Sequence, residues 1–350
     1  MKIALIDRAL LERKKMFVRG VELFNINLVN DLIALGYEVH LYIHSSWLDS
    51  PLLHKSQKLT VYPSTLPYPE LLTVHIIRNL LKAKCDKIII GNVANGLIHT
   101  LFLLNFCIVD SQKWILIAHR MPKRLFLKFS PKKWRRIICV NNTIANKFLA
   151  YGFENVIVEY GKSHPEQFYP AEKISKKEDI VNFCMLGSLD SPWKGAAKAI
   201  EAFKKLPPDI KKRCKLHLAS YKTPQGIGVD GVLVYPPIPP KEIPEWLRKM
   251  DVMIVASYDE EAMKETFCMA MIEGMLTALP VLVSSLPVLT EKITEGGGRV
   301  FNSEDELSAI MKQLVLNPEM RRIMGAQARA IALKRYIWDT ASFASRYLET

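Results

Sequence analysis

The stretch Glu265–Val281, ETFCMAMIEGMLTALPV, sets two glutamates eight positions apart, with Phe267 two residues after the first and a proline-led apolar strand after the second. Glu265 ends a loop that follows the apolar run VMIVAS, and the periodicity predicts a helix over 267–276 that carries Glu273 two turns down. A carboxylate beside the free N–H groups of a helix N-terminus can hold a polar ligand whose negative part lies on the helix dipole. The second carboxylate can accept two hydroxyls, as a ribose offers. Two solvated acids on an amphipathic helix give the same spacing, because Glu is a common helix residue. The flanking residues therefore carry the reading.

Three other residues have chemical potential. Lys194 lies in a polar loop between the apolar strand VNFCMLG and a helix expected over 195–205. A cation at the C-terminal end of a parallel strand can neutralise a diphosphate leaving group, although a solvated surface lysine looks the same in isolation. His119 closes the apolar strand WILIA, where a ring either points into the crevice at the sheet edge or packs into the core. Gly20 opens a helix after the loop ERKKMFVR, and the absent Cβ lets a ligand approach that N-terminus. His164, after the run NVIVEYG, reads as a loop residue.

The elements that must position these residues alternate. KIALID, EVHLYI, KLTVYP, KIIIGN, WILIAH, RIICV and NVIVEY are strand candidates in the first half, with helices fitting between most of them. VNFCMLG, KLHLAS, VLVYPP, VMIVAS, PVLVSS and GRVF repeat the theme, with helices at 195–205, 240–250, 267–276, 304–316 and 318–335. This is an α/β pattern of two Rossmann-like, doubly wound parallel sheets. Neither half has a G-x-G-x-x-G loop after its first strand, which argues against a dinucleotide dehydrogenase. The charged stretch YPAEKISKKED, 169–179, reads as the linker.

A chain of 350 residues suits two domains. Its six cysteines are isolated and mostly lie in or beside apolar runs, as reduced, buried thiols do. The N-terminus reads as a buried strand and a charged loop rather than a signal peptide, and the longest apolar run, 97–109, is too short to span a bilayer. The expectation is a cytoplasmic protein, or one lying on the inner face of the membrane. The net charge of +13 is uneven: residues 1–170 hold 23 Lys/Arg against 12 Asp/Glu, and residues 171–350 hold 25 against 23. A basic half suggests an anionic partner. Arg120–Arg136, RMPKRLFLKFSPKKWRR, interleaves aromatics with cations and has no acids, which suits an anionic membrane surface. Nucleic acid is the less favoured partner, and a solvated loop would also have this composition. There is no H-E-x-x-H or D-x-D motif, so no metal site is expected.

The Glu265–Val281 stretch resembles the E-x7-E signature of retaining GT-B glycosyltransferases of the family-four group, the glycogen synthase and mannosyltransferase-like enzymes, roughly E-G-F-G-x-x-x-x-E-A-M-A-x-G-x-P-V. Glu265, Phe267, Glu273, Met275, Pro280 and Val281 match; Thr266, Cys268, Gly274 and Ala278 depart. RGVELFNINLVNDLIALGYEVHLY resembles the family's G-G-V-E helix with Arg19 for the first Gly, and LGSLDSPWKGAAKAIEAF its G-R-L-x-x-x-K-G segment with Ser188 for Arg. The terminal RYIWDTASFASRYLE resembles the helix that returns to the first domain.

The resemblance implies an acceptor domain at 1–170, a nucleotide-sugar domain at 171–335 facing it across a cleft, and a returning helix at 336–350. It implies that Lys194 and the backbone N–H groups of Phe267, Cys268 and Met269 hold the donor diphosphate, beside Ser188, while Glu265 orients the sugar. Glu273 would hold the ribose, His119 would lie near the donor sugar, and Gly20 would face donor phosphate and acceptor. No cofactor is implied, since the nucleotide sugar is a substrate, and the acceptor would be a glycan or a lipid-linked sugar. Two alternatives stay open: a sugar-nucleotide epimerase or phosphorylase on the same fold, and a non-catalytic sugar- or lipid-binding protein.

Overall fold

Apolar runs of three to seven residues become parallel strands here, because a strand covered on both faces must be apolar throughout. The structure, a computed structural model, describes residues 1–14, 20–65, 73–91, 111–122, 124–130, 132–159, 163–171, 180–220, 228–258, 265–337 and 339–349. The chain forms two compact units: Met1–Tyr160 with Asp339–Thr350, and Gly161–Trp338.

In the first unit, β1 (Lys2–Asp7), β2 (Glu38–His44), β3 (Leu59–Ser64), β4 (Lys87–Gly91), β5 (Trp114–Ala118), β6 (Arg136–Cys139) and β7 (Val156–Val158) pair in the order β3-β2-β1-β4-β5-β6-β7. In the second, β8 (Val181–Gly187), β9 (Cys214–Ser220), β10 (Val232–Tyr235), β11 (Val252–Val255), β12 (Val281–Ser284) and β13 (Gly298–Phe301) pair in the order β10-β9-β8-β11-β12-β13. The strand order reverses between β1 and β4, and again between β8 and β11; each reversal leaves a crevice at the strands' C-terminal ends. The expected α/β class is therefore observed, and strands form at all the runs read as strands.

The repetition extends to side chains. His40 of β2 meets the Tyr62 hydroxyl on outer strand β3 at 3.0 Å, and His217 of β9 meets the Tyr235 hydroxyl on outer strand β10 at 2.8 Å. In both sheets the tyrosine stands two residues beyond the histidine's register partner, Thr60 or Leu233.

The last helix, Thr340–Tyr347, belongs to the first unit. Thr340 Oγ1 donates to Asp31 at 2.7 Å, and Arg346 and the Tyr347 hydroxyl both donate to Glu159 at 2.9 Å. The residues after 162 pack on the second unit instead. Ser163 N donates to Tyr336 O at 2.8 Å, and Arg329 donates to Phe168 O at 3.3 Å.

The basic segment departs from expectation. Phe126 and Trp134, two of the aromatics in the segment expected to suit a membrane surface, are buried at 0% and 1% exposure, and Phe126 packs against Phe148, Phe153 and Trp134. In the short helix Arg124–Phe129, Phe126 and Leu127 face the core while Arg124 and Lys128 stay exposed. Lys132 lies 4.2 Å over the Phe153 ring and donates to Leu127 O. The side chain of Phe129 lies outside the described residues, as do Cys107, Arg19 and the apolar run 97–109. Among the described residues no helix is long and apolar enough to cross a membrane.

A core role for Phe126 predicts that Phe126→Ala destabilises the first unit by about 3–5 kcal/mol in denaturant unfolding. A loss below about 1 kcal/mol would mean that the ring is a surface residue.

Candidate active site

The loop after β8 turns through the single 3-10 turn Pro192–Lys194, and Gly195 then takes a left-handed conformation with φ 72°. A Cβ at 195 would stand 2.1 Å from Ala256 O, so only glycine lets this turn lie on the backbone that leaves β11. Tyr258 N donates to Trp193 O at 2.9 Å, tying the two loops together across the reversal of strand order.

That junction brings Lys194 to Glu265. The lysine ammonium donates directly to the Glu265 carboxylate, and the side chains are 17% and 8% exposed. Ser257 Oγ donates to the same carboxylate oxygen at 3.3 Å, and Ser284 Oγ donates to Ser257 O. Burial works against the Lys194 charge, but Cys268 and Glu265 more than offset it and hold its pKa above the ordinary lysine value. The Trp193 ring lies 4.4 Å from the ammonium. Ser188 lies in the same loop, its carbonyl accepting from Ser191 N at 2.9 Å.

The helix after Glu265 runs Met269–Leu276, two residues shorter at its start than the sequence predicts. The cause is Cys268, whose φ of 65° is left-handed and cannot continue a helix. Glu273 therefore sits little more than one turn in, not two. Cys268 makes no side-chain cap bond, and its carbonyl accepts from Met271 N at 3.1 Å, so the first-turn N–H groups left open to an anion are those of Met269 and Ala270. Burial, then the Glu265 charge, pushes the Cys268 thiol up to about 11, so it is neutral at ordinary pH. Phe267 is buried and packs between the Lys292 ammonium, 4.7 Å from its ring, and the Tyr336 ring at 5.9 Å. Its side chain anchors the loop, leaving the backbone for a ligand. At the helix's other end Arg329 donates to Leu276 O.

Glu273 is the unsatisfied member of the group. Its carboxylate has no hydrogen-bond or ion-pair partner among the described residues, and burial pushes its pKa up to about 7. A partnerless, half-buried carboxylate costs stability unless a ligand meets it.

Of the three positions where the chain departs from a glycine in the resembled pattern, Thr266, Cys268 and Ala278, the last two have left-handed backbones, with φ 65° and 60°. The backbone path a glycine would favour is thus kept without the glycine. At Gly274 the departure runs the other way: a Cβ would meet Met253 Sδ at 2.7 Å, and glycine lets the helix lie close on β11.

In the first unit, His119 follows β5 and is buried, in edge contact with Phe24 at 4.7 Å. Burial, with Arg120 beside it, pulls its pKa down to about 4, so the ring is neutral at ordinary pH, and its Nε2 has no partner among the described residues. Sequence reasoning missed Asp7, at the end of β1. It accepts from Ala9 N at 2.6 Å and from Asn25 Nδ2 at 2.8 Å, while burial pushes it up to about 6. A Cβ at Gly91 would stand 1.9 Å from its Oδ2. Its position at a strand end beside the order reversal was the available signal. Gly20 is the first residue of the helix Gly20–Ala34, and the loop residues 15–19 before it lie outside the described residues. His164 pairs with Glu166 at 2.9 Å in the crossing segment. Among the described residues no group of three or more His, Cys, Asp or Glu could hold a metal ion.

Residues 170–331 match the family described as Glycosyl transferases group 1. A D-inositol 3-phosphate glycosyltransferase of Streptomyces griseus subsp. griseus is 29% identical over 119 residues, 33% of this chain and 24% of that protein, so the match spans about a quarter of that relative's length. The sucrose-phosphate synthase of Thermosynechococcus elongatus superposes with a TM-score of 0.77 at 15% identity, over 99% of this chain and 98% of that one. HepE of Anabaena, solved in complex with UDP, gives 0.74 at 16% identity over 100% and 99%. The fold is the GT-B fold: two Rossmann-like units, with the last helix returned to the first.

The Glu273 environment predicts a pH signature. Its pKa is raised by folding from 4.5 to about 7, so the unfolded chain releases this proton first, and stability falls as pH rises from about 4.5 to about 7. Glu273→Gln should remove that fall, leaving the variant's Tm closest to wild type near pH 4.5 and furthest above it beyond pH 7. Parallel Tm–pH curves for the two proteins would show that Glu273 is ordinarily solvated.

Proposed function

We propose that this protein is a glycosyltransferase whose second unit binds a nucleotide-sugar donor. The observation that carries this reading is the buried Lys194–Glu265 pair at the β8/β11 reversal, with an uncapped helix N-terminus and the partnerless Glu273 carboxylate one turn further on. These groups offer the complementary chemistry for a diphosphate, a sugar and a ribose in sequence. The match of this unit to the Glycosyl transferases group 1 family and the UDP complex of HepE support it.

In this reading Lys194 and the N–H groups after Cys268 stabilise the charge that builds on the diphosphate as the bond between it and the sugar's anomeric carbon breaks. Glu265 accepts from the sugar hydroxyls, and Glu273 accepts from the ribose. The family resemblance adds transfer with retention, in which the leaving phosphate takes the acceptor proton. It also assigns the acceptor, a glycan or a lipid-linked sugar, to the first unit, where His119 Nε2 and Asn25 Oδ1 are buried without partners among the described residues.

Lys194→Gln keeps a donor for Glu265 but removes the charge. It should weaken UDP binding by about 1.5–3 kcal/mol in calorimetry and leave uridine binding unchanged. Equal losses for both ligands would show that Lys194 does not meet phosphate.

The first unit's exposed cations Arg120, Arg124, Lys128 and Lys133 suit an anionic lipid surface by charge alone, since the neighbouring Phe126 and Trp134 are core. Each contributes about 1 kcal/mol near such a surface, screened by salt. Co-sedimentation with phosphatidylserine vesicles should therefore fall steeply between low and high salt and disappear in the Arg124→Glu, Lys128→Glu, Lys133→Glu variant. A wild type that ignores these vesicles at low salt removes the membrane from the account and leaves a dissolved acceptor.

A further inference from the structure

Lys292 follows the single-turn helix Pro287–Thr290, in the largely polar run TEKIT. Its side chain is instead 0% exposed. The ammonium donates to Val288 O, lies 3.5 Å from Glu291 Oε1, and sits 4.7 Å from the Phe267 ring centroid. It therefore lies directly behind the loop Glu265–Cys268. Burial pulls its pKa below the ordinary lysine value, against the opposing pull of Glu291 and Cys268.

Such a residue is poorly explained by stability. Removing an ammonium from water is costly, and one carboxylate at 3.5 Å, itself a quarter exposed, compensates it incompletely. An apolar side chain of similar volume at a site like this is often neutral or stabilising. The bond to one carbonyl does not need a charge, because a neutral amide can donate it. What a charge adds is potential in the loop above, acting through a protein interior that screens it far less than water. Lys194 is matched at contact by Glu265, whereas Lys292 meets its partly exposed carboxylate only at 3.5 Å, so the excess positive character of this loop comes from the helix N-terminus and the incompletely compensated Lys292.

We infer that Lys292 is the second cation of the anion site, holding a diphosphate against the first-turn N–H groups after Cys268 from behind Phe267, without touching it. The inference rests on the donor reading above and deepens it. Lys292 is a positioning residue: it acts on the ligand through the field it sets and through the ring of Phe267.

The test is calorimetric titration of UDP and of uridine into wild type, Lys292→Gln, Lys292→Met and Lys292→Arg, with Tm measured for each. GDP with guanosine and ADP with adenosine serve if UDP does not bind. Lys292→Gln and Lys292→Met should each lose about tenfold in affinity for the diphosphate, keep the nucleoside affinity, and melt at or above wild type. Lys292→Arg should restore diphosphate binding to within about threefold of wild type. Unchanged diphosphate affinity in Lys292→Gln, or equal losses for diphosphate and nucleoside, would overturn the inference and leave the donor reading standing. Loss of fold in both neutral variants would overturn it too, because the lysine would then be structural. A wild type that binds no nucleoside diphosphate would remove the donor reading itself, and this inference with it.

Discussion

A lysine and a glutamate 71 residues apart meet nearly out of water where the second sheet reverses its strand order. Each would be costly there alone; breaking a buried pair of this kind typically costs about 3–5 kcal/mol. The surrounding backbone is arranged to keep them together. Gly195 lies against Ala256 O, Trp193 O accepts from Tyr258 N, and Ser257 and Ser284 continue the network across β11 and β12. In the proposed function the pair offers a cation to a diphosphate and a hydrogen-bond acceptor to sugar hydroxyls.

The helix beyond the pair is held in place against its own sequence preferences. Cys268 and Ala278 both take left-handed conformations, each at a cost of roughly 1–2 kcal/mol for a residue with a Cβ. Such conformations persist only where neighbours over-determine the path. Here Phe267 is pinned between Lys292 and Tyr336, Arg329 binds the helix's last turn, and Gly274 lets the helix settle on Met253 of β11. The strain keeps the uncapped N-terminus and Glu273 in fixed relation to Lys194.

Most of the architecture was legible because a doubly wound sheet writes itself as apolar runs at regular intervals. VNFCMLG became β8 without adjustment, and the helices over 304–316 and 318–335 began and ended as read. The helix start at Met269 was misread because left-handed cysteine has no sequence signature. The basic segment was misread because its cations hid a core pattern: Phe126, Leu127 and Trp134 point inward while Arg124 and Lys128 stay in water. Glu265, Lys194 and Glu273 were legible as chemistry, but that the first two bind each other depends on the contact between two loops. Lys292 and Asp7 were missed for a related reason. A lysine in a polar run and an aspartate at a strand end reveal their burial only after the chain has folded around them.

The most direct test of this account is a crystal structure of the protein with a bound nucleoside diphosphate. The account places the ribose hydroxyls within hydrogen-bond distance of the Glu273 carboxylate and the diphosphate on the N–H groups after Cys268, with the Lys194 ammonium turned from Glu265 toward a phosphate oxygen. A nucleotide bound elsewhere, or one bound here with the Lys194–Glu265 pair intact and Glu273 still without a partner, would contradict it.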